Sequence, residues 1–229
     1  MNNDLSSYFE DPEFKEALEK YEGMVKNHTP AYFEADELID IAEYYASKGR
    51  HKDADKAIDL AIQLHPDNTD ALIFRARSLA MKGRLDEAYM VMDLIEDRSD
   101  REVRFLKADL LMEEKRMEEA DHVFEELAAY EEGKLETLID IILAYIDANQ
   151  EALAKKWIKH VGETYDLASL SQKNQKFRDL LCDFYITFNN PEAAIPLLQA
   201  TLDCYPYSIN HWNSLGKCYL STNDYEEAH

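Results

Sequence analysis

Six alanines stand in one register along this chain, and each follows an aromatic or leucine residue by nine positions. The pairs are Tyr45 and Ala54, Leu79 and Ala88, Leu111 and Ala120, Tyr145 and Ala154, Tyr185 and Ala194, and Tyr219 and Ala228. Successive alanines lie 34, 32, 34, 40 and 34 residues apart. A period of this length marks an architecture in which one supersecondary unit recurs and buries its apolar face against its neighbours.

Other columns move with the alanine. Five residues before it stand Gly49, Gly83, Lys115, Asn149, Asn189 and Asn223. Gly and Asn tolerate the left-handed backbone that ends a helix, so all but Lys115 suit a tight turn between helices. Three residues before the aromatic column stand Ala42, Ala76, Ala108, Ile142, Cys182 and Gly216, mostly small, as close helix approach requires. Four residues after the alanine, Ile58, Met92, Phe124, Ile158 and Leu198 extend an apolar stripe at helical spacing. Pro66 and Pro206 fall where a second helix must stop. Each unit reads as two antiparallel helices around a turn.

These residues resemble the tetratricopeptide repeat family. Trp212, Leu215, Gly216, Tyr219 and Ala228 match the first half of its pattern, and Leu38, Ile41, Ala42, Tyr45, Ala54, Ile58, Ala61 and Pro66 match nearly as well. The middle units depart from it: Arg75 and Lys107 replace a leucine, Ile142 replaces a small residue, and Arg104 and Arg178 fall where Trp or Leu is usual. The resemblance implies an all-α, right-handed superhelical solenoid of antiparallel helix pairs. About five and a half repeats are expected, with units near 35–68, 69–100, 101–134, 135–174, 175–208 and 209–229.

Residues 1–34 read as a leading helix or degenerate repeat that caps the array. Tyr8 and Ala17 keep the nine-residue spacing, and Asp11-Pro12-Glu13 has the form of an N-cap followed by a first-turn proline. Asn190-Pro191-Glu192 has the same form at the start of a later second helix. The long step between Ala154 and Ala194 places extra residues near Asp166 to Asn174, to be absorbed by a longer second helix or a loop. The last half-unit reads as a piece of a longer array, because a helix starting near Asp224 cannot bury Ala228 before the chain ends at His229.

Charge narrows the partners. The chain carries 47 acids against 25 Lys and Arg, a net charge of −22. That field repels phosphate backbones and anionic membranes, so nucleic acid and membrane insertion are not expected. No basic, apolar leader opens the chain and no apolar run reaches about 18 residues, which points to the cytoplasm. Cys182, Cys204 and Cys218 fit no metal or redox spacing and read as reduced thiols. The sequon at Asn27-His28-Thr29 is followed by Pro30 and reads as chance.

Nothing in the chain has the form of a catalytic site. There is no Gly-rich phosphate loop, no GxSxG and no HExxH. His122 with Glu125 and Glu126 is the nearest approach to a metal-like grouping, and a solvated helix face accounts for it better. No enzyme activity, cofactor or metal is expected. The resemblance places the first helix of each unit on an inner, partner-binding face. By register that face holds Asp36, Ile39, Glu43, Asp70, Ile73, Phe74, Arg77, Glu102, Phe105, Asp109, Met112, Glu136, Ile139, Leu143 and Asp147. Acids surround an apolar floor there. Some family members clamp a peptide carboxylate at these places with Lys, Asn and Arg, whereas this chain has Asp36, Ile39, Glu43, Phe74 and Arg77. The expected role is a non-catalytic interaction scaffold for a basic or amphipathic protein segment. Alternatives are the regulatory or targeting arm of a longer protein, and a structural protein that self-associates through exposed repeat ends.

Overall fold

The computed structural model describes residues 8–222, so Asn223, Ala228 and the expected start of a last helix near Asp224 lie outside the described residues. Among the described residues the chain is helical throughout. α1 is Pro12–Asn27, α2 Ala35–Ser47, α3 His51–Leu64, α4 Thr69–Met81, α5 Leu85–Met92, α6 Arg101–Glu113 and α7 Met117–Tyr130. α8 follows at Leu135–Asp147, α9 at Glu151–Thr164, α10 at Leu167–Lys173, α11 at Gln175–Thr187, α12 at Pro191–Cys204 and α13 at Ile209–Ser221. The helices form two compact units that meet in sequence between Ala120 and Asp121, inside α7.

The turn column works through backbone chirality. Gly49 and Gly83 both take φ of 72°, and Asn149 and Asn189 take 56° and 55°. Lys115, the residue type least suited to this conformation, also takes a positive φ of 64°. In every case the next residue donates its N–H to the carbonyl of the aromatic or leucine column: Arg50 to Tyr45, Arg84 to Leu79, Arg116 to Leu111, Gln150 to Tyr145 and Asn190 to Tyr185. This six-to-one bond satisfies a helix-end carbonyl, and it requires the left-handed residue just before it. Tertiary geometry therefore overrides the preference of Lys115.

Helix starts differ along the chain. Three first helices are capped by side chains: Asn68 accepts from the Ala71 N–H at 2.9 Å, Asp100 from Glu102 at 2.8 Å and Asn174 from Phe177 at 3.0 Å, whereas α8 and α13 start without a side-chain cap bond. α1 is capped likewise, with Asp11 accepting from the Glu13 N–H at 2.8 Å and Pro12 as its first residue. Second helices α3, α5, α9 and α12 spring from the turn with no side-chain cap bond. Asn190 sits at the N-cap position of α12, but its side chain makes no cap bond. In α3, α5 and α7 an arginine at the turn reaches an acid three residues on: Arg50 to Asp53, Arg84 to Glu87 and Arg116 to Glu119. The acids also complement the positive end of the helix dipole.

In unit 1, α2 packs on α3, α4 on α5 and α1 on α2, while the first helices α2, α4 and α6 lie side by side. In unit 2, α8 packs on α9 and α11, and α11 on α12 and α12 on α13. The alanine column forms the tight seams. Ala88, Ala120, Ala154 and Ala194 have no accessible surface, and Ala42, Ala76 and Ala108 have none either. Such seams leave no room for a larger side chain. Phe124 and Tyr145 meet edge to face at 5.5 Å within unit 2.

The extra residues after Ala154 form neither a longer second helix nor a loop. They make the separate seven-residue helix α10. Tyr165 turns extended and ends α9, and Asp166 caps α10 through the Ser169 N–H. Leu167 then lies against Gly162, where an added Cβ would come within 3.2 Å of it. Arg178 holds the far end. It is 5% exposed, and its guanidinium donates to the Thr201 hydroxyl at 2.8 Å and to the Ser171 and Gln172 carbonyls at 3.1 Å each. A cation thus closes the C-terminal, partly negative end of α10.

Candidate functional site

Unit 1 carries a groove of ≈ 720 Å³ across the exposed edges of α2 and α4, reaching Glu102 at the start of α6. Asp36, Ile39, Glu43, Asp70, Ile73, Phe74, Arg77 and Glu102 line it together with Asp40, His51 and Met81. Helical spacing explains this company. Residues 36, 39, 40 and 43 share one face of α2, as do residues 70, 73, 74 and 77 on α4. Ile39, Ile73 and Phe74 form the apolar floor, and carboxylates rise on its rim.

The carboxylates crowd one another. Burial raises the Asp40 pKa, Asp36 adds to the rise, and the Tyr8 hydroxyl opposes it by donating to Asp40 at 2.5 Å. Burial and Asp40 raise the Glu43 carboxyl as well. Asp109 on α6 is pushed up to about 6, chiefly by burial, with Glu102 and Glu113 adding to it and Arg77 opposing it. Arg77 is the permanently charged base among the groove-lining residues. It sits 3.4 Å from Glu102 and 3.5 Å from Asp109.

The other inner-face residues divide by element. Phe105 and Met112 on α6, both 7% exposed, are not among the residues that line this groove, and the Arg101 guanidinium lies 4.9 Å above the Phe105 ring. In unit 2, Ile139 on α8 is buried, Leu143 is half-buried, and Glu136 and Asp147 are exposed. Glu136 faces Lys176 of α11 at 3.9 Å. Burial, Asp179 and Asp147 together raise the Asp183 carboxyl. One Asp179 carboxylate oxygen is buried without a hydrogen bond, and His211 lies 3.4 Å from it, within ion-pair reach only.

Two features have no counterpart in the repeat columns. Trp157 stands three residues past Ala154 and is 3% exposed, whereas Ile158, the residue at the column spacing, is half-buried. The Trp157 indole N–H donates to Asp121 at 2.8 Å, and the same carboxylate accepts from Tyr145 at 2.9 Å and Lys156 at 2.5 Å. Burial would raise Asp121, but these donors prevail and hold its pKa below the ordinary value. Beside this network, α7 and α9 enclose a second groove of ≈ 460 Å³ that includes Ala128, Ala129 and Trp157.

Chemistry of other kinds finds little footing. Cys182 and Cys218 are buried free thiols, and burial pushes Cys182 up to about 12. Among the described residues no group of three or more His, Cys, Asp or Glu is placed to hold a metal ion. His122 is largely exposed, 3.5 Å from Glu126 and 4.0 Å from Glu125. No helix of the described residues is long and apolar enough to cross a membrane.

Residues 39–89 match the family model for the tetratricopeptide repeat. No curated protein matches the chain. Among solved structures, a tetratricopeptide repeat protein from Parabacteroides merdae ATCC 43184 is similar at 16% identity and a TM-score of 0.49, covering 85% of this chain and 75% of that one. The matched segment runs from within α2 into α5, and the same buried alanines and left-handed turns recur beyond it at Ala120, Ala154 and Ala194, so helix pairs like those of the tetratricopeptide repeat continue past the matched residues.

Proposed function

We propose that unit 1 is a docking module for a basic or amphipathic helical segment of a protein partner, and that it has no catalytic role. Repeats of this family generally mediate protein–protein interactions and act as non-enzymatic scaffolds. The observation that carries the finer reading is the composition of one groove. Its floor is Ile39, Ile73 and Phe74, and its wall holds Asp36, Asp40, Glu43, Asp70 and Glu102 against the single arginine Arg77. An apolar floor accepts the apolar face of a helix, and surplus carboxylates favour cations on its flanks. A peptide carboxylate would meet repulsion here.

The test is a binding titration with synthetic helical peptides of equal hydrophobicity and opposite charge. The basic peptide is expected to bind and the acidic one to fail. Phe74→Ala combined with Glu43→Lys removes a floor anchor and reverses a wall charge, and should weaken binding by about 30-fold, or about 2 kcal/mol. Preference for the acidic peptide, or unchanged binding by the double variant, would refute the assignment.

A further inference from the structure

We infer that Arg77 is a resident counterion of the groove, and that the groove selects a partner segment whose own guanidinium or ammonium takes Arg77's place beside Glu102 and Asp109. This rests on the docking reading of the groove and names what that site recognises.

Geometry separates Arg77 from Arg84 and Arg116 of the same unit; Arg75 is likewise split, between Asp55 at 3.4 Å and Asp59 at 3.2 Å, but it does not line the groove. Arg84 grips Glu87 with a two-pronged fork at 2.6 and 2.5 Å, and Arg116 grips Glu119 the same way at 2.7 Å twice. Both are local pairs at the start of a second helix. Arg77 is split between two carboxylates of another helix, through Nη2 to Glu102 at 3.4 Å and Nε to Asp109 at 3.5 Å. A strong charged N–H···O bond is about 2.8 Å long, so neither contact is tight. Glu102 is also shared, because its other oxygen accepts from Arg101 at 2.7 Å.

Carboxylates outnumber cations in the groove, where Asp36, Asp40, Glu43, Asp70 and Glu102 face the one arginine. Beside them, burial holds the Asp109 carboxyl up near 6 even with Arg77 opposing it. A second cation entering the groove would therefore find acceptors. Arg77 has a way out, since its side chain is already 42% exposed and Met81, one turn along α4, is 80% exposed. An incoming side chain that forms a short two-pronged bond would gain more than the loose contact it replaces. Apolar residues one helical turn either side of that cation would reach Ile73 and Phe74. While it stays in place, Arg77 weakens binding and sets which partners are cationic enough to enter.

The experiment uses fluorescence anisotropy with a labelled amphipathic helical peptide of leucine and arginine, and its glutamate-for-arginine counterpart. Wild type, Arg77→Gln, Arg77→Lys and Phe74→Ala are titrated at several salt concentrations. Removing the resident charge should tighten binding of the arginine peptide by about fivefold and steepen its salt dependence. Arg77→Lys keeps the charge and should stay within about twofold of wild type. Arg77→Met, which keeps the aliphatic stem, should reproduce the gain if the Gln variant folds poorly. Unchanged or weaker binding by the neutral variants, with Phe74→Ala still losing affinity, would overturn the role of Arg77 and leave the groove standing. Absence of saturable binding by wild type, or no effect of Phe74→Ala, would overturn both.

Discussion

Lys115 shows how little freedom a single position has once the repeat is formed. Its φ of 64° is one that a side chain with a Cβ adopts only at a cost, yet the Arg116 bond to Leu111 needs it. Lys115→Gly removes that strain and restores backbone entropy to the unfolded chain, and the two effects partly cancel. A net gain of about 0.5 kcal/mol is expected, read as a higher denaturant midpoint with unchanged slope. Asp109 is the second residue with a readable energy. Its folded pKa, near 6, lies above the ordinary carboxylate value, so between about pH 4 and pH 6 the native state holds the extra proton. Its contribution is fully favourable below that window and declines as pH rises through 6. Asp109→Asn should therefore stabilise the protein at pH 7 and lose this advantage at pH 4. Because the side chain is 37% exposed, screening limits the gain to about 1 kcal/mol. Paired melts at the two pH values check both the sign and the window.

At the scale of elements, α10 and Arg178 explain each other. Arg178 departs from the family's apolar residue, and α10 departs from its repeat length. The structure joins the two departures, because the guanidinium closes the last carbonyls of α10 and the buried Thr201 hydroxyl. Arg178→Leu should leave those three acceptors unpaired and cost about 3 kcal/mol. Hydrogen exchange should then be fastest in residues 167–173, with α8 and α9 little changed. The same comparison shows what periodicity conveys. The alanine seam and the left-handed turns were legible in the sequence because each follows from one local requirement, small size or positive φ, repeated at a fixed spacing. The face of α2 and α4 that lines the groove was legible for the same reason, as 36, 39, 43, 70, 73, 74 and 77 share helical spacing. Arg178 and Trp157 were not legible, since their roles depend on partners more than twenty residues away: Thr201 for one and Asp121 for the other. Nor did spacing show how deeply Phe105 and Met112 are buried, because depth depends on what neighbours cover.

For the molecule as a whole, the −22 charge gives the docking reading its direction. A chain so acidic repels anionic partners at a distance and draws cationic ones, and both effects weaken with salt. Binding of a cationic helix should therefore slow in association more than it hastens in dissociation as salt rises from 50 to 300 mM, by roughly tenfold in on-rate. Stopped-flow traces would show this directly. The same net charge surrounds the second groove near Trp157, so charge alone does not choose between the two faces. The apolar floor of Ile39, Ile73 and Phe74 under a carboxylate wall does. The most direct measurement of that claim is a hydrogen-exchange footprint of the full chain with and without a saturating basic amphipathic helical peptide. Protection concentrated in α2 and α4 and at the start of α6 is the result expected. Protection confined to the α7 and α9 face around Ala128 and Trp157, or none at all, would contradict it.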